Sequence, residues 1–133
     1  MNLREIDRLV AEKVMGWRLK SFPGEGGGFS AWLNDDGKII KYENNCTLHA
    51  QPYDFWKPTT NIADAWKVVE KLQKDGWHIE LYNENEKWCF DLTKYNEFMF
   101  VDRFYRASAE DASLAICLAA LKAVGVEVEV TEQ

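Results

Sequence analysis

The sequence predicts an α+β fold, a three-layer α-β-α sandwich in which a mainly antiparallel sheet is covered by helices. Three segments with apolar residues at helical spacing each end at a glycine, and an alternating polar and apolar segment follows each of them. Further alternating segments are joined by short turns, which favours antiparallel hairpins. Several strands carry apolar residues on both faces, so we expect helices on both sides of the sheet.

The predicted element order is α-βββ-α-βββ-α-β within one domain that covers residues 1–133. The first helix is predicted over residues 2–14. The second begins at residues 59–61 and ends at Gly76, and the third begins at Ser108 and ends at Gly125. Each begins with a polar residue suited to capping the free amides of a first turn. The glycines are suited to the left-handed conformation that commonly ends a helix.

The first and third helices differ in how deeply they should be covered. The third is apolar over most of its circumference, so neighbours should surround it. The first should lie at the surface because charged residues follow one side of it: Arg4, Asp7, Arg8 and Glu12.

The predicted strands lie between and after the helices. Residues 28–33 and 38–42 flank an Asn-Asp-Asp-Gly turn, and its Asp-Gly step is typical of a hairpin. Residues 43–58 are the least regular part of the chain, and we interpret them as one long loop within the domain. The remaining strands are predicted at residues 17–19, 77–81, 87–92, 97–101, 103–106 and 126–130.

Charge and hydropathy exclude several classes of function. The chain has 22 acidic and 16 basic residues, a net charge of −6, whereas duplex nucleic acid requires a cationic face. Its apolar runs are shorter than the roughly 18 residues needed to span a bilayer. The N-terminal segment is charged and amphipathic, unlike a secretory signal. We therefore expect a cytoplasmic protein that binds neither duplex nucleic acid nor a membrane.

Cysteine and histidine usage gives no pattern for a metal site or a cofactor. The three cysteines, Cys46, Cys89 and Cys117, are widely spaced and form no CxxC pair. The two histidines, His49 and His78, lack metal-binding spacing, and no motif flanks a cysteine–histidine nucleophilic pair. The sequence also contains no hydrolase, kinase or deaminase signature. The expectation is a protein without cofactor, metal or catalytic residues.

Four segments carry a family resemblance: residues 9–17 (LVAEKVMGW), 56–71 (WKPTTNIADAWKVVEK), 106–109 (RASA) and 115–125 (AICLAALKAVG). In this order they resemble the phage ABA sandwich domain family, small proteins encoded by phages and prophages. The resemblance implies the α-β-α architecture and a phage product acting in the bacterial cytoplasm. It implies no catalytic residues.

Two tryptophans and one helix start are candidate ligand-binding residues. Trp56 lies in the irregular segment before the second helix, and Trp88 opens a strand after a polar turn, so either ring is a candidate to stack on a nucleobase. Lys57, Thr59 and Thr60 stand where free helix amides, hydroxyls and a lysine bind anions. The alternative for this segment is an ordinary helix cap.

A second candidate segment precedes the third helix and contains Arg103, Tyr105 and Arg106. The two arginines are three residues apart on a strand and face opposite sides, so only one enters a given cavity. Three further tryptophans fall on apolar faces and are interpreted as core residues: Trp17, Trp66 and Trp77.

The predicted function is a non-catalytic phage anti-defence protein, a homo-oligomeric sponge that sequesters a nucleotide-derived host immune signal. A cyclic ADP-ribose isomer or a cyclic oligonucleotide is the expected ligand, by analogy with other small phage proteins. The aromatic content of 14% and the capped helix starts favour this hypothesis. The alternative is an acidic inhibitor or adaptor that binds a host protein, which the net charge favours. An enzyme of unrecognised type is the third hypothesis.

Overall fold

In the residues that the structure describes, three helices pack against six strands that form two antiparallel sheets, so the predicted α+β sandwich is confirmed. The structure is a computed structural model, and it describes residues 1–24, 28–43 and 55–130. The helical elements are α1 (Leu3–Leu9), continued by a π-helical turn (Val10–Val14), α2 (Ile62–Lys74) and α3 (Ala112–Ala123).

The two sheets each contain three consecutive strands, in the orders β1-β2-β3 and β4-β5-β6. Both therefore arise from short sequential connections, as the hairpin signals predicted. The predicted turn at residues 34–37 joins β2 to β3, where the Asn34 side chain accepts hydrogen bonds from the Asp36 and Lys38 amides. The strands are β1 (Arg18–Phe22), β2 (Phe29–Leu33), β3 (Ile39–Tyr42), β4 (His78–Glu84), β5 (Lys87–Tyr95) and β6 (Val101–Ala109).

The last predicted strand, residues 126–130, is wrong because that segment pairs with no described strand. Val126 and Val128 pack partly buried against the core, so the alternation correctly marked a buried face. An alternating pattern indicates which side chains are buried. A strand also requires a neighbouring strand whose backbone groups form hydrogen bonds with its own. The Val126 amide instead donates to the Leu121 carbonyl, at 2.9 Å, across the end of α3.

Two further boundaries differ from the prediction. Ser108 lies in β6 opposite Cys89, and α3 begins after Asp111. Residues 96–100 form the turn of the β5–β6 hairpin rather than a strand, and β6 starts at Val101. In both places the pattern of apolar and polar residues continues past the end of an element. Periodicity alone does not detect the change of backbone direction there.

Local sequence explains where the first two helices begin and how they end. The side chain of Asn2 accepts the Glu5 amide at 2.9 Å, and that of Asn61 accepts the Asp64 amide at 3.1 Å. The π-helical turn is wider than an α-helical one, with the Met15 amide bonded to the Val10 carbonyl at 3.0 Å. All three helices end near a glycine with positive φ: Gly16, Gly76 and Gly125.

Helix α3 forms the centre of the hydrophobic core, as its apolar circumference predicted. It contacts α1, the π-helical turn, α2 and strands β5 and β6. From β5, Phe90 and Leu92 supply fully buried side chains to the same core. On α3 itself, the fully buried residues include Ile116 and Leu121 together with several alanines, whose small side chains allow close approach of the surrounding elements.

Replacing Ile116 by alanine should lower the free energy of unfolding by about 2–5 kcal/mol, because a cavity would form inside the core. Ile62→Ala is the matched control, since Ile62 is half exposed at the start of α2, and its effect should stay within about 0.5 kcal/mol. Urea unfolding of both variants measures the difference. Equal losses would contradict the central position of α3.

Candidate functional site

Among the described residues, two neighbouring cavities share Thr59 and Thr60 as a common wall. The first, of about 150 Å³, is called the α1 cavity, and the second, of about 320 Å³, is called the α3 cavity. The α1 cavity is lined by Leu3, Arg4, Asp7, Glu43, Trp56, Lys57, Thr59 and Thr60. The α3 cavity is lined by Thr59, Thr60, Ile62, Trp88, Asp111, Ala112 and Ser113.

Buried carboxylates hold the elements around the α1 cavity together. Glu43, at the end of the first sheet, accepts a hydrogen bond from the Trp32 indole at 3.2 Å and an ion pair from Arg8. Arg4 donates to the Glu43 carbonyl at 3.1 Å. The first sheet is thereby joined to α1 through charge-assisted contacts, which are stronger than neutral hydrogen bonds.

A second ionic contact joins the first sheet to α2. The Lys41 ammonium lies 2.9 Å from a carboxylate oxygen of Asp64, and both side chains are largely buried. The other Asp64 oxygen accepts the Lys57 amide at 2.9 Å. Removing one member of a buried pair leaves an uncompensated charge, so these contacts fix the geometry of the segment that precedes α2.

Asp7 is the buried carboxyl that borders the α1 cavity, and the prediction that it lies at the surface is wrong. Its carboxylate accepts the Thr59 amide at 2.9 Å, and its backbone carbonyl accepts the Trp56 indole at 2.9 Å. Burial raises the pKa of Asp7 to about 6, the charge of Glu43 adds to the rise, and hydrogen bonding from Thr59 opposes it.

Thr59 lines both cavities, and its hydroxyl is a buried polar group. Thr59 is only 1% exposed, and its hydroxyl has no hydrogen bond of acceptable geometry to any described residue, although it lies close enough to Asp7 to help lower that pKa. An unpaired buried hydroxyl costs roughly 1–3 kcal/mol. Such a group is a natural partner for a ligand atom in the adjoining cavity.

The starts of α2 and α3 differ in their capacity to bind an anion. Before α2, the carboxylates of Asp64 and Asp7 already bind the Lys57 and Thr59 amides. At α3, the N-terminal residue Asp111 forms no side-chain cap with the described part of the chain. The first-turn amides of α3 therefore keep their hydrogen-bonding capacity, and the helix dipole favours negative charge there.

The structure divides the predicted ligand residues of the middle segment between the two cavities. Trp88 is half buried and lines the α3 cavity with Thr59 and Thr60, whereas Trp56 and Lys57 line the α1 cavity. Trp56 is only 2% exposed and meets the Trp17 ring edge-on, with 4.6 Å between ring centroids. Its ring faces are therefore core surfaces rather than open stacking platforms.

The predicted residues of the β6 segment lie outside both cavities. Arg103 and Tyr105 face the Trp77 ring, with the Arg103 guanidinium 5.3 Å from the ring centroid. Arg106 lies on the opposite face of the sheet and forms a bidentate ion pair with Asp91 at 2.8 and 2.9 Å. The two arginines thus face opposite sides, as predicted, and a surface depression beside Arg106 is separate from the α3 cavity.

One core assignment of a tryptophan was wrong. Trp77 is buried and Trp17 is partly buried against the core, but Trp66 is 48% exposed on α2. The buried face of α2 instead contains Ala65, Val68 and Leu72. The smaller side chains face inward because α3 packs against this side of α2.

The cysteines of the described residues show no arrangement for nucleophilic catalysis. Burial raises the pKa of the Cys117 thiol well above its ordinary value, which favours the unreactive protonated form. The Cys89 sulfur lies 3.3 Å from the Ser108 hydroxyl. Cys46, His49 and most of the predicted 43–58 loop lie outside the described residues.

Two further features are absent from the described residues. No group of three or more histidine, cysteine or acidic side chains is placed to hold a metal ion. No helix in the described ranges is long and apolar enough to cross a membrane.

The described elements define a small α+β sandwich with two adjoining cavities beside the starts of α1, α2 and α3. The chain belongs to the phage ABA sandwich domain family, whose family model matches residues 8–121. A phage protein from Bacillus cereus ATCC 14579, known from a 2.0 Å crystal structure, is similar in fold: the TM-score is 0.62 and the identity 22%, over 97% of this chain and 93% of that chain. No curated protein gives a significant match.

Replacing Asp7 by asparagine should remove a pH-dependent destabilisation. The folded protein holds the Asp7 proton up to about pH 6, against an ordinary pKa of 3.8, so wild-type stability falls as the pH rises through this window. Relative to the wild type, Asp7→Asn should gain up to about 3 kcal/mol between pH 4 and pH 7. Urea unfolding across this range measures the gain, with the exposed Asp75→Asn as control. A difference that does not depend on pH would contradict the assignment.

Proposed function

We propose that this phage protein binds a nucleotide-derived host immune signal, a cyclic ADP-ribose isomer or a cyclic oligonucleotide, and sequesters it unchanged. The observation that carries the proposal is the buried, unpaired Thr59 hydroxyl. Thr59 lines the α3 cavity together with the start of α3 and Trp88. A hydroxyl, helix amides and an aromatic ring supply the polar and stacking contacts that a nucleotide needs.

Each group would have a separate role toward the ligand. The first-turn amides of α3 would bind a phosphate oxygen, aided by the helix dipole. The Thr59 hydroxyl would pair with a second polar ligand atom, and the Trp88 ring would stack on a base for roughly 1–3 kcal/mol. Asp111 is exposed and does not cap α3, so its carboxylate is able to turn toward solvent when an anion binds.

The sizes of the cavities support a ligand larger than a simple anion. The α3 cavity, at about 320 Å³, falls within the usual range for small-molecule sites. The α1 cavity adjoins it through Thr59 and Thr60 and offers Lys57 and Arg4 as cations. A ligand with two nucleotide halves would therefore have a second place to extend.

Capture without chemical change is supported by the chemistry of the α3 cavity. Its described lining contains two threonines, one serine and one exposed aspartate, without a histidine, cysteine or lysine beside them. Nucleophilic catalysis by a hydroxyl requires a base hydrogen-bonded to it. The exposed Asp111 carboxylate forms no such bond to Thr59 and does not cap α3 in the described part of the chain. Such a sponge would act in the cytoplasm of the infected bacterium, where the signal is made.

Thr59→Val and Trp88→Ala should each weaken ligand binding at least tenfold. Trp66→Ala is the matched control for tryptophan, and Arg106→Ala is the control for the distant face of the sheet. Thermal shift with cyclic ADP-ribose isomers and cyclic dinucleotides, followed by calorimetry, measures binding.

Mass spectrometry of ligand released by heat distinguishes a sponge from an enzyme. Recovery of the unaltered probe is the expected result. Recovery of a cleaved probe, the absence of a shift with every probe, or loss of binding only in the two control variants would contradict the proposal.

A further inference from the structure

The β5–β6 turn and the first residue of β6 expose four consecutive apolar side chains, which we call the apolar tip: Phe98, Met99, Phe100 and Val101. Their exposed fractions are 71%, 72%, 69% and 59%. Tyr95 and Phe104, on the flanking strands, are also exposed and extend the same surface. Consecutive exposed apolar residues are rare on soluble proteins unless they serve an interaction.

The backbone of the turn holds the apolar tip in one conformation. The Asn96 side chain accepts the Phe98 and Phe100 amides at 2.9 and 3.0 Å. The Asn96 amide donates to the Phe100 carbonyl at 2.8 Å, and the Met99 amide donates to the Asn96 carbonyl at 3.0 Å. An ordered apolar surface loses little conformational entropy when a partner covers it.

Met99 occupies a backbone conformation that glycine adopts more easily. Its φ is +66°, in the left-handed region, which costs a residue with a side chain of order 1 kcal/mol or more. Glycine would satisfy the turn without this cost. The turn itself therefore does not account for a large apolar side chain at this position, which is 72% exposed.

We propose that the apolar tip docks on the apolar tip of a second copy of this chain, across a twofold axis. The tip and its base contain Lys94, Glu97, Asp102 and Arg103, whose charges cancel, although the whole chain has a net charge of −6. Two tips can therefore meet without the repulsion that other acidic surfaces of the chain would produce. The Lys94 and Arg103 cations lie over the Trp77 ring of the same chain, and they offset the two acids within each tip.

The exposed area of the tip is close to what a stable pair requires. Given the area of aromatic side chains and these exposed fractions, the six apolar side chains present roughly 600 Å² per copy. A stable interface of standard size buries about 800 Å² per partner. The surrounding charged residues would supply the remainder as a polar rim.

This pairing would leave the α3 cavity open. Trp88 and Tyr95 stand near opposite ends of β5, about 23 Å apart along an extended strand. Substitutions in the tip therefore test the pairing without touching the residues assigned to ligand binding.

Sedimentation velocity of the full chain between about 1 and 200 µM tests the proposal. We expect the wild type to form a dimer, and the double variant Phe98→Ser with Phe100→Ser to dissociate at least 100-fold more readily. Trp66→Ser is the matched control, since it removes another half-exposed aromatic side chain, and it should dimerise like the wild type. Circular dichroism and the melting temperature establish that each variant is folded.

Reversing the charges of the tip gives a second test of the pairing that leaves its apolar side chains unchanged. Glu97→Lys with Asp102→Lys makes all four charged positions of the tip positive, and Lys94→Glu with Arg103→Glu makes them negative. Each variant alone should be monomeric, and an equimolar mixture should form a heterodimer.

Two results would overturn the proposal. A wild type that is monomeric at 200 µM would assign the tip to a partner of different chemistry, such as a host protein with an apolar groove. A dimer that survives the Phe98→Ser and Phe100→Ser substitutions would place the interface on another face.

Discussion

The burial of α3 is the constraint on which the other elements depend. A helix that is apolar around most of its circumference is stable only when every side is covered, and here α1, the π-helical turn, α2, β5 and β6 supply that cover. Small residues such as Ala115, Ala119 and Ala120 allow those neighbours to approach closely. The open start of α3 then lies at the surface of the core, beside Trp88 and Thr59. The same packing that stabilises the fold thus creates the cleft.

The cleft also depends on buried charge. Asp7, Glu43 and Asp64 come from α1, the end of the first sheet and α2, and each is largely buried. Arg8 of α1 pairs with Glu43, and Lys41 of β3 pairs with Asp64. Asp7 instead accepts a hydrogen bond from the Thr59 amide, and its pKa is raised to about 6. A purely stabilising junction would be served as well by apolar side chains of similar volume. The polar junction fixes the direction of the segment that separates the two cavities.

Sequence patterns predicted the class of fold, the hairpins and the helix ends because these depend on local periodicity and turn chemistry. They failed where tertiary packing chose between two similar faces. On α2, the predicted core residue Trp66 is half exposed, and the face that contains Ala65, Val68 and Leu72 is buried instead. Residues 126–130 alternate as a strand does, and only the assembled core shows that no described strand edge is beside them.

The candidate site was predictable in part. Trp88, Thr59 and Thr60 do meet at one cavity, whereas no local pattern indicates that Arg106 lies on the far side of the sheet from them. The burial of Asp7 did have a signal in the sequence. It stands four residues after Leu3 and three before Val10, on the apolar stripe of its own helix. This spacing indicates burial, whereas the charge of Asp7 indicated exposure.

The division of the strands into two sheets has a consequence for internal motion. In the described residues, the first sheet meets the remaining elements through few contacts beyond Trp32, Glu43 and Lys41, whereas β5 and α3 belong to the main core. Cooperative units with little buried contact open at a lower free energy than the global transition. The amides of β1, β2 and β3 should therefore exchange with solvent through a partial opening that leaves β5 and α3 protected. Because Glu43 and Asp7 lie at the junction that opens, the α1 cavity would be reshaped by that same motion.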